Sequence, residues 1–510
     1  MHIPFLSDAQ SARRLHAALL APSGRLMLNR HLIAYLPVYA AQGLVGFGAV
    51  IVFTRILSPE EYGRYTLLLA AASLFGTLAF TWLDAAVARH HQRAAARGRL
   101  SGHLFTAWRI YALLAAPILV LAGAGLWLLP MGDALKTACA FALAHTVIRS
   151  GVTLALETRR AAGEAWRYSI LESLTTSAAF ALGVVFVLAG GMGAAGPFAG
   201  LALAGGVALL VDAPILLSKA RRDRADGARG AAFLAYGAPV ALSLIFEGLL
   251  TTGDRFLIAA FLGEAATGAY AAGYALSDRT LSIVFLWLGT TTGPLLIRAL
   301  ETEGREAARA VARRTAGLMA LLGLPAAVGL ALIAEPAARL LVDDALADAA
   351  ALVMPFIALS GLMNGVMTFY FHEAYVLGRK PRLMAAIMAG AAVLNLALNL
   401  ALIPAFGLIG AALSTVIAYA LALIVCAVHG RRIFALPVPW PDWARALAAT
   451  AAMALAVLLA PGFDAALWTL GAKIGAGALA YAAVALLLNV AGCRAMLAAL
   501  PGFKLREVSP

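Results

Sequence analysis

The stretch GYALSDRTLSIVFLWLG, residues 273–289, is apolar almost throughout, yet it carries Asp278 and Arg279 side by side. It lies inside an apolar segment, 267–297, that is longer than the about 20 residues a helix needs to cross a bilayer. If this segment spans a membrane, Arg279 lies about 18 Å from its nearer end at 1.5 Å per residue. A charge at that depth costs about 3 kcal/mol on insertion scales and predicts a functional role.

The whole chain has the composition of a membrane protein. Of its 510 residues, 62% are hydrophobic and 13% are charged, whereas a soluble domain is about half apolar and about a quarter charged. Fourteen segments have the length and hydropathy of spanning helices. They are 31–54, 65–88, 104–128, 133–156, 166–189, 195–217, 232–252, 267–297, 312–334, 350–376, 382–403, 408–429, 443–461 and 465–490.

The net charge of +13 has a distribution typical of a membrane protein rather than of a nucleic-acid-binding protein. If the N-terminus is cytoplasmic, thirty Lys and Arg residues lie in segments on the cytoplasmic side and six lie in the opposite loops. Cytoplasmic loops of membrane proteins carry this excess of basic residues. The distribution therefore predicts fourteen spans with both termini in the cytoplasm.

Two weak internal matches indicate a repeat. ILSPEEYGRY (56–65) and FLGEAATGAY (261–270) share Leu, Gly and Tyr at an offset of 205, and LAGGMGAAGP (188–197) resembles LIPAFGLIGA (402–411). Each pair falls at equivalent helix junctions. The sequence thus predicts an all-α polytopic membrane protein of about fourteen helices, in two parallel six-helix lobes followed by two C-terminal helices. Such proteins bind substrate near the midplane between the repeats.

The predicted organisation has five parts. They are a basic amphipathic cytoplasmic segment (1–30), an N-lobe (31–217), a cytoplasmic linker (218–231), a C-lobe (232–430), and helices 13 and 14 with a cytoplasmic tail (431–510).

The charged residues inside spans are the candidate site residues. Arg279 is predicted to bind an anionic group in a cavity, since the guanidinium fork suits phosphate; an ion pair with Glu247 is the alternative. Arg149 fits either of these roles. Glu247 and Asp254 share one helix face, and Arg255 adjoins them.

Several chemistries are absent from the sequence. It contains no G-x-x-x-x-G-K-[ST] loop for nucleotide phosphates, no H-E-x-x-H zinc motif and no G-x-S-x-G elbow. The three cysteines fall in or at the ends of spans, where a disulfide framework is not expected. We therefore expect a transporter rather than an enzyme, with no cofactor, no metal and no nucleic-acid partner.

Three stretches resemble the polysaccharide transporter family of Wzx-type flippases, within the superfamily of multidrug extruders and the lipid II flippase. They are FTRILSPEEYGRYTLLLAA (53–71), GDRFLIAAFLGEAATGAYAAGYAL (253–276) and AVLNLALNLALIPAFGLIGAALST (392–415). YALSDRTLSIVFLWLGTTTGPLL (274–296) is similar to the lipid II flippase pattern, in which the arginine that falls on Arg279 lines the central cavity. The first span lacks the arginines of that flippase and has Gln42, which favours a different glycolipid.

The resemblance implies a flippase of the bacterial inner membrane. It would carry undecaprenyl-pyrophosphate-linked oligosaccharide units for O-antigen, lipopolysaccharide or exopolysaccharide by alternating access. Arg279, Arg149 and Arg255 would bind the pyrophosphate, and Asp278, Glu247 or Asp254 would couple H⁺ or Na⁺. Its other partners would be membrane lipids and a polysaccharide polymerase or assembly complex.

Three alternatives stay open at the level of sequence. An ion-coupled multidrug exporter would have an acidic cavity, which Arg279 disfavours. A membrane glycan polymerase needs a sizeable outer loop, and the longest here, about 335–350, is short. A scaffold in an assembly complex would leave the buried charges without a transport role.

Overall fold

The computed structural model describes residues 22–220 and 227–498, and within them thirteen helices are long and apolar enough to cross a membrane. The fifty-residue helix Pro381–Gly430 is interrupted at Gly407, whose φ of 59° and ψ of −136° are not helical. Glycine adopts such a positive φ without the strain that a Cβ causes. Divided there, the helices account for all fourteen predicted spans. The described residues contain no strand, and the predicted all-α polytopic class is confirmed.

We number the helices in chain order. They are α1 (Pro22–Ile56), α2 (Pro59–Ala96), α3 (Leu100–Leu128), α4 (Asp133–Ala161), α5 (Ala165–Leu188), α6 (Ala195–Ala220), α7 (Gly227–Leu262), α8 (Glu264–Thr302), α9 (Arg305–Leu332), α10 (Asp344–Leu377), α11 (381–406), α12 (408–430), α13 (Trp440–Leu459) and α14 (Ala466–Leu487), with a short helix Ala334–Leu341 before α10.

Parts of three predicted segments lie outside the described residues. These are residues 1–21 of the basic segment, residues 221–226 of the linker and residues 499–510 of the tail. Helix α1 begins at Pro22, inside the predicted basic segment.

The chain divides into two compact units, each with its own core. Unit 1 falls within Met1–Gly46 and Phe75–Ala241, and unit 2 within Phe47–Leu74 and Leu242–Pro510. Burial of apolar side chains between helices stabilises each unit, although helix packing in a membrane depends more on close contact than on the hydrophobic effect. The core of unit 1 includes Leu83, Trp108, Leu154, Leu216 and Phe233. The core of unit 2 includes Ile258, Tyr270, Tyr274, Val353, Ile357, Ile403 and Ala411.

Within unit 2, the first turns of α2 and α8 cross at the two glycines that the internal repeat matches. A Cβ added at Gly63 would lie 1.8 Å from the carbonyl oxygen of Glu264, and one added at Gly268 would lie 2.9 Å from that of Pro59. Pro59 and Glu264 are also separated by the repeat offset of 205. The contact of Gly63 with Glu264 and that of Gly268 with Pro59 are therefore equivalent in the repeat. Arg64 Nη2 lies 2.7 Å from Glu264 Oε2 and holds the crossing with an ion pair. This crossing brings the start of α2 against α8.

Helices α2 and α10 each contain one π-helical turn. These turns are Thr77–Thr81 and Met367–Phe371. A π-turn adds one residue and rotates the side chains that follow it. The next turn carries Asp84 in α2 and Glu373 in α10.

Candidate functional site

Helix α8 carries Asp278 and Arg279 deep within its length. Arg279 is fifteen residues from the first residue, Glu264, which corresponds to about 22 Å of helix. Both side chains are half-buried. Arg279 Nη1 is buried without a hydrogen-bond partner, and no carboxylate in the described part of the chain lies within ion-pair distance of it. The ion pair with Glu247 that the sequence left open is not formed.

Two tyrosines of α2 are electrostatic neighbours of the Arg279 guanidinium. Tyr62 and Tyr65 are buried, and each phenol group interacts electrostatically with Arg279. Their ring centroids are 6.2 Å apart, and Tyr65 also contacts Phe53 edge-on at 5.5 Å. Asp278 and Arg255 also interact electrostatically with the guanidinium, but none of these groups forms an ion pair with it.

Arg255, on α7, lies over the ring of Tyr274 of α8. Its Cζ is 5.4 Å from the ring centroid, a distance at which cation–π attraction is significant. Arg255 Nε is buried without a hydrogen-bond partner. Arg255 also interacts electrostatically with Asp254, Asp278 and Tyr62. Both predicted arginines of unit 2 thus lie in one region with two of the predicted carboxylates.

Asp254 is fully buried next to a polar network. Its Oδ2 accepts a hydrogen bond of 2.5 Å from the Tyr270 hydroxyl, whereas Oδ1 is buried without a partner. Tyr270 also interacts with the hydroxyl of Thr415, which accepts a bond of 3.5 Å from Asn395 Nδ2. Asn399 Nδ2 donates to Asn395 Oδ1 at 3.0 Å, and the Ser414 hydroxyl donates to Asn399 Oδ1 at 2.5 Å.

This network joins α7, α8, α11 and α12 through side-chain oxygens. Carboxylate, amide and hydroxyl oxygens are the donors that hard cations prefer. Within the described residues, no group of three or more His, Cys, Asp or Glu side chains has metal-binding geometry. The network therefore has one carboxylate and otherwise neutral oxygens, a donor set suited to a proton or a monovalent cation rather than to a divalent metal.

Glu247 lies apart from the arginines. It is exposed on α7, seven residues before Asp254, and interacts electrostatically with Tyr419 of α12. Besides Arg279, the site residues predicted in unit 2 are Arg255, Asp254, Asp278 and Glu247. Among these four, Glu247 is the one with an exposed side chain.

Arg149 lies in unit 1 and has a carboxylate partner. Its Nη1 and Nη2 donate to the two oxygens of Glu172 at 2.9 and 2.8 Å, a bidentate fork between α4 and α5. Gln42 Nε2 of α1 lies 3.5 Å from Glu172 Oε1. Arg149 is thus an ion-paired arginine in this structure, unlike Arg279.

Sequence reasoning did not identify the tyrosines or Glu172 as site residues. Tyr65 and Tyr270 are matched at the offset of 205, and that match was the one signal that could have singled them out. Tyr274 begins the YALSDR stretch that resembles the lipid II flippase pattern, but the sequence assigned it no role. Tyr62 gave no signal, because tyrosine is common in spanning helices and its position depends on the α2–α8 crossing.

The protein family described as "Polysaccharide biosynthesis protein" matches residues 52–351. Among solved structures, the fold is similar to the inward closed conformation of the lipid II flippase MurJ, with a TM-score of 0.74 and 11% identity over 90% of this chain and 99% of that one. It is also similar to an inward-facing MATE family multidrug resistance transporter of the MOP superfamily, with a TM-score of 0.63 and 15% identity over 78% and 93% of the two chains.

A third similar structure is a MOP superfamily transporter from Pyrococcus furiosus, with a TM-score of 0.56 and 16% identity over 80% of this chain and 95% of that one. No curated protein sequence matches the chain. At these identities the likeness shows the fold, which is that of MOP superfamily transporters.

Proposed function

The chain belongs to the polysaccharide biosynthesis protein family, and from that premise we propose that it is a flippase for undecaprenyl-pyrophosphate-linked oligosaccharide units in the bacterial inner membrane. It carries these units from the inner to the outer leaflet by alternating access. The similar flippase named above acts on lipid II, another lipid-linked substrate, which supports the substrate class. The glycans we propose are those of O-antigen, lipopolysaccharide or exopolysaccharide.

The observation that carries the proposal is the unpaired guanidinium of Arg279. A pyrophosphate headgroup has about two negative charges and cannot enter hydrocarbon without replacing its hydration. Arg279 offers a buried donor with no protein acceptor, and the phenol groups of Tyr62 and Tyr65 interact with it electrostatically. Charge-assisted bonds from such groups replace the lost water while the polyprenyl chain stays in lipid.

Arg255 is the second phosphate ligand in this proposal. Stacking on Tyr274 fixes its position without consuming its N–H groups. A side chain held in this way keeps its donors for a ligand, whereas an ion-paired arginine must first lose its partner. Arg149 is such an ion-paired arginine, and we propose that it contacts the headgroup at another stage of transport.

Asp254 is the coupling carboxylate that we prefer over Asp278 and Glu247. It is fully buried, its Oδ1 has no hydrogen-bond partner, and Tyr270 connects its Oδ2 to the neutral oxygens of α11 and α12. Charge in this region is balanced, with Arg255 and Arg279 against Asp254 and Asp278. A proton or Na⁺ at Asp254 neutralises one carboxylate and leaves a net positive region for the headgroup. Cation binding and headgroup binding therefore support each other.

The test is replacement of Arg279 by Ala and by Lys, in a strain that lacks the gene. Loss of charge-assisted bonds worth about 1.5–3 kcal/mol weakens headgroup binding by roughly ten- to one-hundredfold. We expect Ala to abolish surface polysaccharide and Lys to retain part of it, because an ammonium lacks the planar fork. Arg298→Ala is the matched control, since Arg298 is exposed on the same helix. Full function of Arg279→Ala at normal protein level contradicts the proposal.

A multidrug exporter is the second candidate. The fold likeness to a MATE transporter and the carboxylates Asp254, Asp278 and Glu247 favour it. The two arginines in the same region disfavour a cationic ligand. Efflux of cationic dyes that depends on the protein, together with normal surface polysaccharide after its deletion, would select this candidate.

A further inference from the structure

The bidentate contact between Arg149 and Glu172 occupies the arginine in the way that a phosphate would. The two Nη–O distances are 2.9 and 2.8 Å, so both guanidinium nitrogens are used by one carboxylate. Carboxylate and phosphate bind the same fork of an arginine. A headgroup and Glu172 therefore cannot both occupy the two Nη groups of Arg149.

The two partners differ in exposure. The side chain of Arg149 is 40% exposed, whereas that of Glu172 is 3% exposed. A ligand can therefore reach the arginine without unpacking α5. Arg149 also lies deep in α4, twelve residues from Ala161, which is about 18 Å along the helix. It is reachable and far from the helix end.

Glu172 has few other charged neighbours. Among the described residues its one ion-pair partner is Arg149, and Gln42 contributes a neutral amide at 3.5 Å. The titratable groups around the pair are Tyr168 on α5, His145 on α4 beside Arg149, and Asp84 on α2. None of these three supplies a permanent positive charge. If Arg149 leaves, a buried carboxylate is left without a cation, and burial of an unpaired charge is unfavourable.

We propose that Glu172 competes with the lipid headgroup for Arg149 and that their exchange is linked to one proton. Phosphate oxygens replace the two carboxylate oxygens on Arg149, and Glu172 takes one proton from water and becomes a neutral acid. When the headgroup leaves, Glu172 loses that proton and the Arg149 fork forms again. The inference rests on the proposed function, because it needs a phosphate-bearing substrate. It gives Glu172 a role that the proposed function alone does not assign, because Glu172 lowers the affinity of Arg149 for anions at neutral pH.

The experiment measures binding of undecaprenyl pyrophosphate to the purified full-length protein in nanodiscs from pH 5.5 to 8.5. For one linked proton, the affinity of the wild type falls by up to about tenfold per pH unit on the alkaline side. Glu172→Gln cannot release a proton or form the charged fork. We expect it to bind more tightly than wild type at pH 8.5, by about tenfold or more, and the ratio of the two affinities to narrow as the pH falls. Titration of the ligand itself is common to all variants and cancels in the ratio.

Asp212→Asn is the matched control, because Asp212 also binds an arginine of unit 1 in a buried fork, at 2.7 and 3.2 Å from Arg159. Arg159 keeps Glu164 as a second partner, and we expect the pH profile of wild type. A constant ratio between Glu172→Gln and wild type across the pH range overturns the inference and leaves the proposed function intact. If wild type itself does not bind the ligand at any pH, the proposed function fails.

A second measurement needs no variant. Calorimetric titration of wild type in two buffers of different ionisation enthalpy gives the number of protons taken up on binding. We expect about one proton more than titration of the free ligand accounts for. An uptake equal to that of the free ligand overturns the inference even if Glu172→Gln does not fold.

Discussion

Asp254 is a buried residue that has one carboxylate oxygen without a hydrogen-bond partner. Its Oδ2 accepts a hydrogen bond from Tyr270, which connects it to the α11–α12 network through Thr415, while its Oδ1 has no hydrogen-bond partner. A buried carboxylate with one open oxygen is unfavourable until a cation binds. Binding of that cation should therefore stabilise the native protein.

We expect Na⁺ or acidic pH to raise the apparent Tm of wild type and to leave that of Asp254→Asn unchanged. A ligand at about ten times its Kd stabilises the native state by about 1.4 kcal/mol. The measurement is thermal unfolding in NaCl against KCl at equal ionic strength, at pH 6 and at pH 8. Glu247→Gln, on the same face but exposed, should respond like wild type. Equal responses of wild type and Asp254→Asn would remove Asp254 from the coupling role.

The sequence predicted which residues carry charge inside the membrane but not what those residues contact. Asp278 and Arg279 stand out in an apolar run, because any charge there is unfavourable without a function. Whether an arginine is paired depends on helix packing, which a single span does not encode. Arg149 and Arg279 look alike in sequence, yet Arg149 forms an ion pair with Glu172 whereas Arg279 Nη1 has no hydrogen-bond partner.

At the scale of helices, the contact between α2 and α8 depends on glycine. Gly63→Ala would place a methyl group 1.8 Å from a backbone oxygen of α8, so the two helices must move apart. We expect loss of the Arg64–Glu264 ion pair geometry, a lower Tm and at least a severalfold loss of transport. Complementation and thermal unfolding measure both effects.

Gly125→Ala is the control for that substitution. Gly125 is also in a helix, α3, but a Cβ there has no neighbour within 4 Å. Alanine is favoured over glycine in helices by about 1 kcal/mol, so this variant should be as stable as wild type or more so. If Gly63→Ala matches Gly125→Ala in stability and transport, the close crossing has no functional importance.

Helix positions were predictable because length and hydropathy determine which segments can span a bilayer. The division of 381–430 was also predicted, as the two spans 382–403 and 408–429, and in the structure it falls at Gly407. The π-turns at 77–81 and 367–371 were not, because one extra residue per turn leaves no mark in an apolar sequence. The helices also extend beyond the predicted spans, as α8 does, because polar turns outside the hydrocarbon still form backbone hydrogen bonds.

At the scale of the whole molecule, the distribution of charge predicts which loops face the cytoplasm. With thirty basic residues predicted on one side and six on the other, every loop favours the same topology, in which consecutive helices alternate in direction. The predicted orientation would place the starts of α2 and α8, and hence the Gly63–Gly268 crossing, on the outer side. Arg279 lies about 22 Å along α8 from Glu264, so its side chain does not reach that end of the helix.

We expect single cysteines at Gly132 and Asp464 to react with a membrane-impermeant thiol reagent in intact spheroplasts. Cysteines at Glu303 and Arg431 should react only after lysis. All four positions are exposed, so access to the reagent depends on the side of the membrane rather than on burial. The background is a variant without the three natural cysteines, checked for complementation first. Labelling of Glu303→Cys in intact spheroplasts would invert the proposed topology, and with it the direction in which the headgroup must travel past Arg279.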